Sequence, residues 1–232
     1  MQKQAAWTKS LSPLNMRRFA VIFDMDGLMI DSERLYIETE TEMARKRGAI
    51  LTRETIARMM GRKPIESMRI YKEDLGLVDA PADLLHERDV LMMQRMEKDL
   101  TAMPGLFECL ESFYGRYALA IATGAESKFL ALAVDTLGIR NRFDVLVPSD
   151  EILEGKPSPE IYLRAMHELK IQPDHCAVLE DSANGCLSAR RAGAYVVAVP
   201  SEHTAHQDFT PAHFMADDLL HARDHILGVF GG

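Results

Sequence analysis

The sequence predicts an α/β fold, a parallel sheet interrupted after its first strand by an all-helical insert. Two observations carry that prediction. After Pro104-Gly105, short apolar runs alternate with helical stretches; such alternation builds a parallel sheet covered by helices on both faces. Between about Glu33 and Leu100 there is no convincing strand, although FAVIFD (residues 19–24) just before it reads as a buried one.

Taken in order, the first strand ends in the acidic run DMDGLMIDSE. A helix over Arg34–Arg47 is stopped by Gly48, and a second over Arg53–Met60 by Gly61. A third starts near Pro64, a favoured first helical residue, and stops at Gly76. The last starts near Pro81 and carries Leu84, Leu85, Leu91, Met92, Met96 and Leu100 on a broad apolar face. The strands that follow are YALAIAT (117–123), FDVLVP (143–148), CAVLED (176–181) and YVVAVP (195–200), with helices around 126–137, 159–170 and 183–192.

Composition narrows the function. The 232 residues carry 27 Lys+Arg against 35 Asp+Glu, a formal net charge of -8. An acidic chain lacks the electrostatic footprint of a nucleic-acid binder. No apolar run reaches the ~18 residues of a membrane helix, and residues 1–18 lack the apolar stretch of a secretory signal. They read as a flexible extension, with Met16 an alternative start. Three cysteines without a CxxC argue against a disulfide framework or a structural zinc site and fit a reducing, cytoplasmic setting. The C-terminal histidines, His203, His206, His213, His221 and His225, match no common zinc spacing. The Met92–Met96 run and the cysteines read as core packing.

In open α/β sheets ligands bind beyond the carboxyl ends of the strands. Asp24 and Asp26, Thr123-Gly124, Glu180-Asp181, and Lys156 in a loop before a helix all fall there. Such a set suits phosphoryl transfer. Asp24 and Asp181 offer hard oxygens to Mg2+, and Lys156 would offset charge on the phosphoryl group. Thr123 and N–H groups around Met25, Asp26 and Gly124 would hold its oxygens. Asp24 would attack phosphorus, and Asp26 would protonate the leaving oxygen and then activate water.

DMDGLMIDSE, Thr123, GKPSPEIY (155–162) and LEDSANG (179–185) resemble the four motifs of the haloacid dehalogenase-like hydrolase superfamily, over roughly Phe19 to Pro200. The helical insert resembles the cap of the branch with β-phosphoglucomutase-like enzymes and sugar-phosphate and pseudouridine-5′-phosphatase-like phosphatases. The resemblance implies a Rossmann-like core of residues 19–31 and 104–232 with an inserted all-helical cap, 32–103. It also implies Asp24 as nucleophile, Asp26 as acid/base, and Mg2+ on Asp24, the Asp26 carbonyl and Asp181. Glu180 would join or support the metal shell, and Thr123, Gly124 and Lys156 would bind phosphate. In the insert, Arg62 and Lys63 resemble the Gly-basic-basic cap loop of related phosphatases and would read the substrate. Hinges would fall near Leu28–Ser32 and Thr101–Gly105.

The expected protein is a Mg2+-dependent phosphatase of a small phosphorylated metabolite, a sugar phosphate or a nucleotide-like monophosphate, acting as a monomer or weak dimer. The alternatives are a phosphosugar mutase, a dehalogenase and a non-catalytic binding protein. Mutases of this branch carry a Ser-Lys pair for a second phosphate where Ala125 and Glu126 stand here, which weighs against mutation. The DxD and ED pairs weigh against a dehalogenase, and the complete catalytic set against a binding protein.

Overall fold

In the computed structural model, residues 17–60 and 62–231 are described. Six strands form one sheet: β1 (Ala20–Phe23), β2 (Ala118–Ala122), β3 (Val145–Val147), β4 (Cys176–Glu180), β5 (Tyr195–Ala198) and β6 (Phe214–Met215). Their order is β3-β2-β1-β4-β5-β6 and every pairing is parallel. In the β1 register, Ile22 pairs with Ala120 on one side and Val178 on the other. A parallel sheet buried on both faces needs strands that are apolar on both sides, and all residues of β1, β2 and β4 except Glu180 are small or apolar and buried.

Helices cover the sheet. On one face lie α7 (Glu160–Leu169) and α8 (Ala183–Arg191). There Ala20, Ala118, Ala120, Ala122 and Cys176 leave room for the bulk of Ile161, Tyr162 and Met166 in one shared core. The opposite face carries larger residues; Phe23 meets Phe113 at a ring separation of 6.3 Å. Phe113 ends α5 (Leu106–Phe113), which packs on α9 (Leu219–Phe230) through a Cys109 thiol that donates to the Leu219 carbonyl. The helix α6 (Ser127–Thr136) follows β2. The sequence reading had no helix at α5 or α9 and no strand at β6. All three cysteines are free and buried.

The chain separates into two compact units, Asp31–Thr101 and the segments on either side of it. The inserted unit holds α1 (Ser32–Lys46), α2 (Arg53–Met59), α3 (Pro64–Leu75) and α4 (Pro81–Asp99), with no strand among its described residues. Its own core gathers Met43, Met59, Met68, Tyr71 and Leu84; Met92 and Met96 are buried too. Gly76 ends α3 with φ 66°, the left-handed conformation that glycine adopts without strain. Gly61 lies outside the described residues, as does the extension up to residue 16. Arg17, assigned by sequence to that extension, is instead buried and donates to the Tyr117 carbonyl (3.1 Å) and to Asp144 (2.6 Å). Among the described residues no helix is long and apolar enough to cross a membrane.

Candidate active site

The strand order reverses at β1, which is flanked by β2 and β4. At such a switch point the loops leaving adjacent strands diverge and open a crevice. Asp24 follows β1, Thr123 follows β2, and Glu180-Asp181 closes β4. The Asp24 N–H donates to the Leu179 carbonyl at 3.0 Å, so the strand pairing extends into the site. Beyond it the chain turns tightly. Gly27 N–H donates to the Ile30 carbonyl and Met29 N–H to the Met25 carbonyl. Gly27 itself sits at φ 75°, and a Cβ there would lie 2.4 Å from Asp181 Oδ2. Only glycine supplies both that conformation and that clearance.

Lys156 reaches in from the loop before α7. Its Nζ donates to Asp24 Oδ1, to Glu180 Oε1 at 2.6 Å and to the Ala122 carbonyl at 3.3 Å. Burial opposes the charged ammonium, but Asp24 and Glu180 together outweigh it and hold the lysine charged, its pKa well above the usual value. For Asp24 the balance runs the other way. Burial is the largest influence, Lys156 opposes it, Glu180 and Asp26 reinforce it, and the carboxyl is pushed up to about 8. Glu180 is fully buried, yet Lys156, Ser182 and Tyr162 hold it below the usual carboxylate range against that burial.

All four donors around Glu180 are on its two oxygens. Oε1 accepts from Lys156 and from the Tyr162 hydroxyl (2.7 Å), and Oε2 from the N–H (3.0 Å) and hydroxyl (2.9 Å) of Ser182. Ser182 also caps α8 by accepting from Gly185 N–H. The Thr123 hydroxyl donates to Asp26 Oδ2 at 3.3 Å and accepts from Ala125 N–H at 3.0 Å. Thr123 thus ties the second strand's loop to the first, while Gly124 continues that loop.

Asp24, Glu180 and Asp181 are each buried and offer carboxylate oxygens within 4.8 Å of one another. One lysine against this many buried carboxylates leaves an excess of negative charge, and hard oxygen donors suit a hard divalent cation. The set therefore fits a divalent metal of the Mg2+ kind, with Asp24 and Asp181 as the direct donors, because the donors named above occupy both oxygens of Glu180. The sheet edge brings together Asp24, Asp26, Thr123, Lys156, Glu180 and Asp181. Arg62 and Lys63 belong to the helical unit, where both are exposed and Lys63 precedes the first residue of α3. Sequence reasoning passed over Tyr162 and Gly185, although both stand inside the motifs it quoted.

Residues 21–199 match the family model of the haloacid dehalogenase-like hydrolases. The chain belongs to that family. It is 34% identical to a phosphorylated carbohydrates phosphatase of Thermotoga maritima over 178 residues, covering 75% of this chain and 81% of the relative. It is also 34% identical to (DL)-glycerol-3-phosphatase 2 of Arabidopsis thaliana, over 81% of this chain and 82% of the relative. Among solved structures, CbbY of Rhodobacter sphaeroides in complex with phosphate superposes with a TM-score of 0.77 at 26% identity, over 88% of this chain and 95% of that one.

Proposed function

We propose that this phosphoric monoester hydrolase is a Mg2+-dependent phosphatase of a small phosphorylated metabolite, a sugar phosphate or a nucleotide-like monophosphate, working through a phosphoaspartate on Asp24. The observation that carries the reading is the buried Asp24 carboxylate at the switch point, ion-paired with Lys156 and grouped with Asp181 and Glu180. The names of the related carbohydrate and glycerol phosphatases support the same substrate class.

A carboxylate attacking a phosphate dianion meets like charge, so the site must neutralise both partners first. Lys156 does so on the protein side and would exchange its 3.3 Å bond to the Ala122 carbonyl for one to a phosphoryl oxygen. Asp24, the Asp26 carbonyl and Asp181 would hold Mg2+, with Glu180 in support; the ion would favour the charged form of Asp24 against the burial that raises its pKa and would further neutralise phosphoryl oxygens. Thr123 and Gly124 bind the remaining oxygens. An Asp24 oxygen then bonds to phosphorus while the bond to the leaving oxygen breaks, and Asp26 donates its proton to that oxygen. In the second half Asp26 takes a proton from water, whose oxygen attacks phosphorus and frees Asp24 and inorganic phosphate. The helical unit is read as the cap, with Arg62 and Lys63 gripping the leaving group.

Hydrolysis is favoured over mutation by the rim beside Thr123. A mutase holds a bisphosphate in two orientations and needs a second anion site. Here Ala125 has no side-chain donor, and Glu126 is the N-cap of α6. Asp150 accepts from the Ser127 N–H at 2.9 Å and from its hydroxyl, so the first turn of α6 already holds an anion of the chain itself. Lys128 is paired with Glu126 at 3.0 Å.

Two assays test the reading. Asp24→Asn should lose several orders of magnitude of Mg2+-dependent p-nitrophenyl phosphate hydrolysis, because residues that act as a unit fail together. Near-normal turnover in a folded variant would refute the nucleophile. With β-glucose 1-phosphate, Mg2+ and a trace of the 1,6-bisphosphate, free phosphate should accumulate. Faster formation of glucose 6-phosphate would favour the mutase.

A further inference from the structure

We propose that Tyr162 is a positioning residue of the phosphate site: its hydroxyl fixes the Glu180 carboxylate and, through it, holds Lys156 in place to meet the phosphoryl group. This rests on the phosphatase reading above.

Tyr162 lies in the first turn of α7, six residues after Lys156, and is fully buried. Its side chain does two separate things. The ring fills the core beneath β1 and β2, with Lys156 Nζ 5.0 Å from its centroid, where an ammonium is attracted by the ring face. The hydroxyl makes the 2.7 Å hydrogen bond to Glu180 Oε1, the same oxygen that accepts from Lys156. A phenol is un-ionised near neutral pH and so serves as a donor. A phenylalanine would fill the core equally well; the hydroxyl has no packing role to explain it.

Counting partners shows what the hydroxyl is for. A carboxylate has about four lone-pair sites, and those of Glu180 are taken by Lys156, Tyr162 and the two Ser182 donors. Lys156 has three N–H bonds, directed at Asp24, Glu180 and the Ala122 carbonyl. To bind a phosphoryl oxygen it must give one up. The longest, 3.3 Å to a neutral carbonyl, is the cheapest to trade. That exchange works only if Glu180 stays put as the fixed counter-ion while Lys156 re-aims. Ser182 pins one oxygen of Glu180, but a carboxylate held at one oxygen still swings about it. Tyr162 is the neutral donor that pins the other.

The test is Tyr162→Phe in the full chain, with Mg2+ present. Turnover of p-nitrophenyl phosphate should fall tenfold or more in kcat/KM, and calorimetric binding of inorganic phosphate should weaken at least threefold, with a melting temperature close to that of the unaltered protein. In a Glu180→Ala background the same substitution should change phosphate affinity and kcat/KM less than twofold, because the hydroxyl then has no side-chain oxygen to hold. A merely structural tyrosine would instead show the same loss in both backgrounds. That additivity, or a kcat/KM loss under threefold in the single variant, would overturn the proposal. If the unaltered protein binds phosphate but hydrolyses no monoester, the phosphatase reading fails on its own, and the phosphate-binding measurements still judge Tyr162.

Discussion

Gly185→Ala should be damaging although alanine is the better helix former. Gly185 is the third residue of α8, where the exchange is worth about 1 kcal/mol of favourable propensity. The space around it decides otherwise. A Cβ built there would lie 1.6 Å from Glu180 Oε1, 1.9 Å from its Cδ and 2.2 Å from Oε2. Ordinary contact needs roughly twice that, so the carboxylate must move or α8 must back away. A long side chain end usually yields cheaply, but this one is held by four donors. Overpacking costs about 1–3 kcal/mol, and each hydrogen bond lost to a charged group about 1.5–3 kcal/mol. Losing the two Ser182 bonds alone turns the balance to a net loss of about 3 kcal/mol or more. At ~2–4 °C per kcal/mol for a chain of this size, the melting temperature should drop by roughly 6–12 °C. Activity should fall further than stability, by about 10² in kcat, as for a lost donor at a reacting oxygen, since Lys156 loses its fixed counter-ion. Scanning calorimetry and p-nitrophenyl phosphate turnover read the two effects. A variant with unchanged or higher melting temperature and normal kcat would show that Glu180 is not pinned, and the account of the site would fall with it.

Two further predictions concern the helical unit. Glu40, buried in α1, is pushed by burial from 4.5 to about 7 against the opposing pull of Arg88. The folded state therefore binds the proton more tightly, so this group's stabilisation is whole below about pH 4.5 and is lost as pH rises toward 7. Glu40→Gln should flatten that decline and raise the stability of the unit at pH 8 by about 3 kcal/mol; circular-dichroism melts at pH 5 and pH 8 that decline equally for both proteins would exclude it. If Arg62 and Lys63 read the substrate, alanine at either should cost far more on the best natural phosphate ester of a substrate screen than on p-nitrophenyl phosphate, and parallel losses on both would return them to the solvated surface.

The sequence by itself determined the five strands β1 to β5, the four helices of the insert and the residues at the sheet edge. Buried parallel strands are short continuous apolar runs, the insert's helices begin at prolines or end at glycines, and the candidate acids sit next to the strands that carry them. Each of those signals is local. It left α5, α9 and β6 unread. The eight residues of α5 make barely two turns, and the two of β6 are a strand only because Val197 and Ala198 lie beside them. In α9 the buried Leu219, Ala222, Ile226 and Phe230 have helical spacing, but His221 and His225 among them obscured it. The tertiary structure alone decided how the site is held. Lys156 meets Asp24 across 132 positions of the chain and Glu180 across 24, Asp150 reaches Ser127 from 23 residues away, and Gly185 is required by a carboxylate that only the closing of α8 onto β4 brings against it. A motif states which chemical groups are present. That Lys156 and Tyr162 share one oxygen of Glu180 depends on packing between segments separated by 24 and 18 positions, and no local pattern encodes it.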